Sequence, residues 1–228
     1  MTRPGPAGEA VLAAAAVMDR LRSPGGCPWD AEQTHASLAK YLVEETYETL
    51  DAIESTDLDA LREELGDVLL QVLFHARIAA ETPAADGGFD LDDVAQGLVD
   101  KMTRRHPHVF GDAVVGGAAD VAQNWEQLKQ AEKQRGSVTE GIGAGQPALA
   151  WAAALRRRAG RTEPTAAVPT PTPAAGDAEA AIGAELLDLV GRAVAQGIDP
   201  ESALRATART YREALLAAEA ETSAPTGS

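Results

Sequence analysis

The chain holds one cysteine, Cys27, among 228 residues. An intramolecular disulfide framework is therefore excluded, and a lone thiol suits a reducing cytoplasm. Aromatic residues make up only 4% of the chain. Lysine and arginine number 20 against 35 aspartates and glutamates, for a formal net charge of -15. With no basic run to release counterions, the composition argues against a nucleic-acid polymer as partner. Period-two alternation never extends beyond a few positions, which leaves almost no strand signal. The apolar run AVLAAAAV, residues 10–17, is too short to cross a bilayer and has no basic segment before it. It reads as a core-facing helix of a cytoplasmic protein with no membrane association.

Helical periodicity dominates what remains. It predicts helices near 9–22, 34–54, 58–81, 91–105, 119–135, 147–159, 178–196 and 200–219. Breakers separate them: SPGGCPWD at 23–30, TPAADGG at 82–88, HPHVFGD at 106–112 and GSVTEGIGAGQP at 136–147. Thr56 with Asp59 three residues later reads as a capping box opening the helix at 58. Residues 160–177, GRTEPTAAVPTPTPAAGD, carry four prolines, and proline restricts both itself and the residue before it. This stretch predicts an extended, poorly ordered linker. The expected organisation is a body over 1–160, a linker over 161–177 and a C-terminal helical piece over 178–228 with a disordered tail.

The two helical pieces share a pattern. LGDVLLQVL at 65–73 aligns without a gap to IGAELLDLV at 182–190, with Asp67 opposite Ala184. Either this is an internal repeat whose second copy has lost its acids, or it is the chance likeness of two Ala- and Leu-rich helices.

Between Tyr41 and Val72 there are ten acidic residues and one basic residue, Arg62. At about 100° per residue with Leu42 at zero, Glu45 falls near 300° and Glu48 near 240°, while Glu44 points to about 200°. With Leu61 at zero on the next helix, Glu64 and Asp67 fall at about the same two angles, and Gln71 and His75 continue that edge. Two antiparallel helices would thus present matching carboxylate pairs beside a shared core. Like charges at helical neighbours repel, and more so near a core edge. A divalent cation would convert that repulsion into coordination, and hard Mg²⁺ takes carboxylate and phosphate oxygens. A solvated acidic face is the other reading of the same residues.

The spacing Glu44-Glu45-x-x-Glu48, fifteen residues, then Glu64-x-x-Asp67 resembles the EExxE…ExxD signature of MazG-type nucleoside triphosphate pyrophosphohydrolases. These belong to the all-α NTP pyrophosphatase superfamily. GGCPWDAEQTH (25–35), YLVEETYETLDAI (41–53), LREELGDVLLQVLFHA (61–76), DKMTRRHPHVFGD (100–112) and NWEQLKQAEK (124–133) are similar to MazG segments in the family's order. The likeness covers residues 9–160. It implies an all-α helical bundle completed by homodimerisation, and hydrolysis of NTP or dNTP to the monophosphate and diphosphate. Mg²⁺ is the implied cofactor, with Mn²⁺ able to substitute, and removal of unwanted nucleotides the implied role. Glu45, Glu48, Glu64 and Asp67 are the implied metal ligands, and Glu44 and Glu48 the implied catalytic carboxylates. Lys101, Arg104 and Arg105 match the phosphate-contacting region, and Trp125 with Lys129 the segment that meets the base. Without the resemblance, the three cations would serve the helix macrodipole, and Trp125 would be core.

Other features carry less. Glu32-x-x-His35 is similar to one half of a di-iron site, but such bundles use two of these motifs and the chain has one. His106 and His108 flank Pro107 in a turn, Cys27 lacks a neighbouring base, and Trp29 and Asp30 read as an anchor and a helix N-cap. A catalytically weak nucleotide-binding or regulatory module is the alternative to the enzyme. Long MazG proteins carry two tandem domains, so the resemblance implies that residues 178–219 are a degenerate second copy without its acids. Removing residues 161–228 is expected to leave hydrolysis intact; a folded truncation with no activity would overturn that assignment.

Overall fold

The computed structural model describes residues 8–117, 120–121, 124–125, 128, 137–160 and 168–223. No strand occurs among them, and the fold class is all-α. The helices of the N-terminal unit whose limits fall among the described residues are α1 (Glu9–Arg22), α2 (Pro28–Glu32), α3 (His35–Ser55), α4 (Leu58–Ala79), α5 (Leu91–Arg105) and α6 (Pro107–Phe110), with a 3₁₀ turn at Ala84–Asp86. Three follow in the C-terminal unit: α7 (Ala148–Ala159), α8 (Ala178–Ala195) and α9 (Pro200–Ser223). Asp120, Val121, Asn124, Trp125 and Leu128 are also helical. Most of the helix expected over 119–135 lies outside the described residues.

Capping chemistry sets the helix starts. Thr34 accepts from the Ser37 amide while the Ser37 hydroxyl accepts from the Thr34 amide, a reciprocal box that opens α3. Asp90 and Asp93 do the same for α5. At α4 the cap is Asp57, whose carboxylate accepts from the Asp59 and Ala60 amides. Thr56, expected in that role, instead takes a left-handed conformation (φ 58°) that terminates α3. The α3–α4 connection is therefore only two residues long, and the two helices pack along their length.

The core of this unit is small. Met18 of α1, Leu38 of α3, and Leu73 and Phe74 of α4 are buried together, with Ala14, Ala15, Tyr41, Leu69, Ile78 and Leu91 packed around them. Towards the other end of α3 and α4 the apolar face stays open: Leu50, Ile53 and Leu65 are exposed.

A buried arginine fastens the other end. Arg22, the last residue of α1, pairs with Glu81 through Nε at 3.0 Å and Nη2 at 2.9 Å. Its Nη1 donates to the Asp30 carbonyl and, at 3.1 Å, to the Gln33 carbonyl. Arg77 extends the network, donating to Asp19 at 2.8 Å and to Glu81 at 3.0 Å. The loop between α1 and α2 closes tightly enough that a Cβ on Gly26 would sit 2.2 Å from the Leu21 carbonyl oxygen, so only glycine fits. Asp30 lies inside α2 and contributes its carbonyl; the residue at the cap position is Cys27.

In the C-terminal unit α7 packs on α8, and α9 touches both. The compact units divide after Leu128, earlier than the boundary expected near 160, because α7 packs with the helices that follow it. The described part of the proline-rich stretch lies against α8: Pro171–Ala174 line the same depression as Gly183 and Ala184. Small side chains at 183 and 184 leave room for that approach. Thr170 donates to Asp188 and accepts from Arg156.

Arg22→Ala is expected to destabilise the N-terminal unit by about 3 kcal/mol, since it strips two carbonyls and Glu81 of a buried donor. Urea denaturation followed by circular dichroism measures it. Glu81→Gln should cost clearly less, because the half-exposed amide keeps an acceptor for Arg22.

Candidate metal and nucleotide site

The edge that α3 and α4 share carries the acids. Carboxylate oxygens of Glu45, Glu48 and Glu64 all lie within 4.8 Å of one another. Glu45 and Glu64 are half-buried and Glu48 is exposed. Glu45 and Glu48 sit one turn apart on α3, and their carboxyls are within hydrogen-bonding reach, a contact that only a shared proton or a cation makes favourable. Burial is the first cause that holds the Glu45 carboxyl above its ordinary 4.5; the charges of Asp67, Glu48 and Glu44 follow. Glu64 is raised as well, by desolvation and then by Glu48, Asp67 and Glu63. Asp67, one turn beyond Glu64, thus acts on both helices' carboxylates while standing outside the closest triplet. Glu44 is exposed and also outside it.

Oxygen donors of like charge, converging from two rigid helices, make a donor set suited to a hard divalent ion. Glu45, Glu48 and Glu64 could hold it directly, with Asp67 adjacent. This is the one such group of three or more His, Cys, Asp or Glu side chains among the described residues.

A second group lies at the α5–α6 junction. The Arg105 guanidinium lies over the Trp125 ring at 5.3 Å, and the His106 ring meets the same indole edge-on at 4.8 Å. Arg105 is buried, whereas Arg104 is exposed and Lys101 half-buried on the same helix. The structure therefore joins Arg105 to Trp125. Lys129 lies outside the described residues.

Two features escape sequence reading. His35 and His75 stack with parallel rings 5.0 Å apart, and their Nδ1 atoms share a hydrogen bond of 2.7 Å. Burial, then the His35 charge, lowers the His75 pKa. His35 opens α3, whereas Glu32 ends α2, so the ExxH spacing does not fall on one helix face. His75 Nε2 and Gln71 Oε1 are buried without a hydrogen-bond partner, on the edge of α4 that carries Glu64 and Asp67. The rotation along α4 places Gln71 and His75 on that edge; only the fold reveals His35 opposite. Trp29, expected as an anchor, does meet Tyr41 and Phe74 edge-on at 6.3 and 6.4 Å, yet half of it remains exposed.

The raised carboxyls give a pH signature. A carboxyl whose folded pKa lies above its unfolded value destabilises the fold once ionised, and the penalty vanishes as pH falls through 4.5. Glu81, held low by Arg22, and His75, held low by burial, act in the opposite sense, so the effect is read as a difference between variants. Without divalent ions, Glu45→Gln should melt higher than the parent at about pH 7.5 and equally at about pH 4. Differential scanning fluorimetry checks this; equal melting at both values would show that the cluster carries no such penalty.

Comparison with known proteins places this geometry. Residues 33–110, which span α3 to α6, match the MazG nucleotide pyrophosphohydrolase domain. An uncharacterized 26.1 kDa protein from the blaB 3' region of Streptomyces cacaoi is 53% identical over 213 residues, covering 93% of this chain and 84% of that one. The nucleoside triphosphate pyrophosphohydrolase of Mycobacterium tuberculosis is 51% identical over 152 residues, 67% of this chain and 45% of its own. The enzyme of that name from Escherichia coli is 47% identical over 146 residues, 62% and 54% respectively. This chain thus spans about half the length of the pyrophosphohydrolases it matches. With the matched domain, the shared identity and the paired carboxylates on two helices all in agreement, the chain belongs to the MazG nucleotide pyrophosphohydrolase family.

Proposed function

We propose that this chain hydrolyses nucleoside triphosphates, ribo or deoxy, to the monophosphate and diphosphate, with Mg²⁺ as cofactor and Mn²⁺ as substitute. The observation that carries the reading is the convergence of Glu45, Glu48 and Glu64 within 4.8 Å across two helices. Names given to relatives about half identical to it point the same way.

In this reading Glu45, Glu48, Glu64 and Asp67 hold the metal. The bound ion would neutralise triphosphate charge and polarise a phosphoryl oxygen. The protein's own part is positioning: α3 and α4 hold the four carboxylates in place before substrate arrives. Glu44 or Glu48 accepts the proton of the attacking water. Lys101, Arg104 and Arg105 supply positive charge for the phosphates that an acidic site would otherwise repel. Trp125 and Lys129 form the base-contacting segment, and an aromatic face stacks on any base, which suits loose selection among unwanted nucleotides. Arg105 links the two, since its guanidinium lies on the Trp125 ring.

The active site is one per chain, in the N-terminal unit, and the C-terminal helices are a non-catalytic second copy. In this reading α3 and α4 are half of a bundle that a second chain completes, and the enzyme works as a homodimer; exposed Leu42, Leu50, Ile53 and Leu65 support it. None of the described helices is long and apolar enough to cross a membrane, and the proposed place of action is the cytoplasm.

Purified protein incubated with a panel of NTPs and dNTPs and Mg²⁺ should release diphosphate. Glu48→Ala and Asp67→Ala should each lower that rate by at least about 100-fold, the scale lost when groups around a metal are removed. Release of NDP and phosphate would overturn the reaction assigned. Tight nucleotide binding without turnover would point to a regulatory binding module.

A further inference from the structure

Two imidazoles join the helices that carry the acids. His35 is the first residue of α3, and His75 lies towards the far end of α4, forty residues later in the sequence. Their Nδ1 atoms are 2.7 Å apart. Ring nitrogens this close need one proton between them, because two lone pairs would repel and two N–H groups would collide. The buried side of the pair decides which ring supplies it. His75 Nε2 is buried with no hydrogen-bond partner, and a buried orphan N–H is rarer than a buried acceptor left short. His75 therefore keeps Nε2 bare and donates from Nδ1. His35, the exposed ring, accepts at Nδ1 and carries its own proton on Nε2. Burial, and then the His35 charge, disfavours a second proton on His75.

Where this bond lies gives it a role. At their other end α3 and α4 are joined through Thr56 and Asp57 alone. The acids sit between that connection and the histidines. Glu45 is ten residues from His35 along α3 and Glu64 eleven from His75 along α4, about 15 and 16.5 Å of continuous helix. The helix pair is thus held at both ends, with the carboxylates in the span between. The apolar cluster of Leu38, Leu73 and Phe74 draws the helices together but tolerates a small slide. A directional bond between two ring nitrogens does not. Slippage by one residue is about 1.5 Å, a large fraction of the 4.8 Å within which the carboxylates converge.

We propose that His35 and His75 are positioning residues for the carboxylate cluster: the proton that His75 shares with His35 fixes α3 against α4 at the separation where Glu45, Glu48 and Glu64 meet. The consequence for catalysis rests on the proposed hydrolysis; the consequence for the carboxylates does not.

Two substitutions separate this role from packing. His35→Phe keeps a ring and removes both nitrogens. His35→Asn loses the ring but sets an amide oxygen about where Nδ1 lies, able to accept from His75. Full-length chain labelled with nitrogen-15 histidine should show His75 protonated and His35 bare at Nδ1, with a scalar coupling across the bond. Carbon-13 titration of the Glu45 carboxyl reads the cluster. Held above 4.5 in the parent, it should fall towards that value in His35→Phe, since separation relieves both its burial and the Asp67 charge, and should stay raised in His35→Asn. At limiting Mg²⁺, diphosphate release should drop about 10-fold or more in His35→Phe and recover in His35→Asn. Circular dichroism checks that helicity is kept, and His75→Asn, which donates to His35 from its amide, replaces His35→Asn if that chain does not fold. No coupling between the rings of the parent overturns the proposal. So does a Glu45 titration that His35→Phe leaves unmoved, or one that follows ring bulk and is kept by Phe but lost with Asn. A parent that releases no diphosphate while the carboxyl titrations behave as expected overturns the hydrolysis and supports the positioning role.

Discussion

Two antiparallel helices that share an apolar seam must also share its edges, and this constraint shapes the N-terminal unit. On α3 and α4 the residues beside the seam are Glu45 and Glu48 on one side and Glu64 and Asp67 on the other. Once Leu38, Leu73 and Phe74 are buried together, those carboxylates have nowhere else to go. Burial of the seam is favourable by about 1.5–3 kcal/mol for each large side chain enclosed, which exceeds the repulsion among half-exposed acids. Packing thus holds the acids at a separation they would not choose. This is the preorganisation that a cation site needs: the cost of convergence is met by the fold and not at the moment of binding.

The far end of the same helix pair is stabilised by opposite charge. Arg22 collects Glu81 and two carbonyls from the α2 region, while Arg77 ties α4 to Asp19. Like charges gather at one end and complementary charges at the other. Ion pairs gather where α1 meets α4, whereas Ile53, Leu58 and Leu65 near the α3–α4 turn are exposed. The polar orphans Gln71 Oε1 and His75 Nε2 lie between these two regions.

Much of this was legible before any coordinates. Helix limits followed periodicity and breakers, with α1, α3, α4, α5, α7, α8 and α9 all starting within a residue of expectation. A rotation of about 100° per residue set Glu45 and Glu48 on one helix against Glu64 and Asp67 on the next; Glu45, Glu48 and Glu64 converge in the fold, and Asp67 stands outside that closest group. What escaped were contacts between distant segments. Nothing local to Arg22 announces that it will be buried, and nothing local to His35 announces His75. Thr56 and Asp57 are both acceptable caps, and the choice between them depends on how α3 ends. That α7 packs on α8 was not legible either: prolines mark where a chain is extended, not which side its neighbours pack on.

The two-residue turn at Thr56–Asp57 has an implication for length. Adding or deleting one residue there would rotate α4 by about 100° relative to α3, and would carry Glu64 away from Glu45 while leaving every side chain in place. A surface turn is ordinarily where a chain tolerates insertions best. Here the usual order is inverted: the ruler that measures the distance between carboxylates is the turn itself, and it has only two divisions.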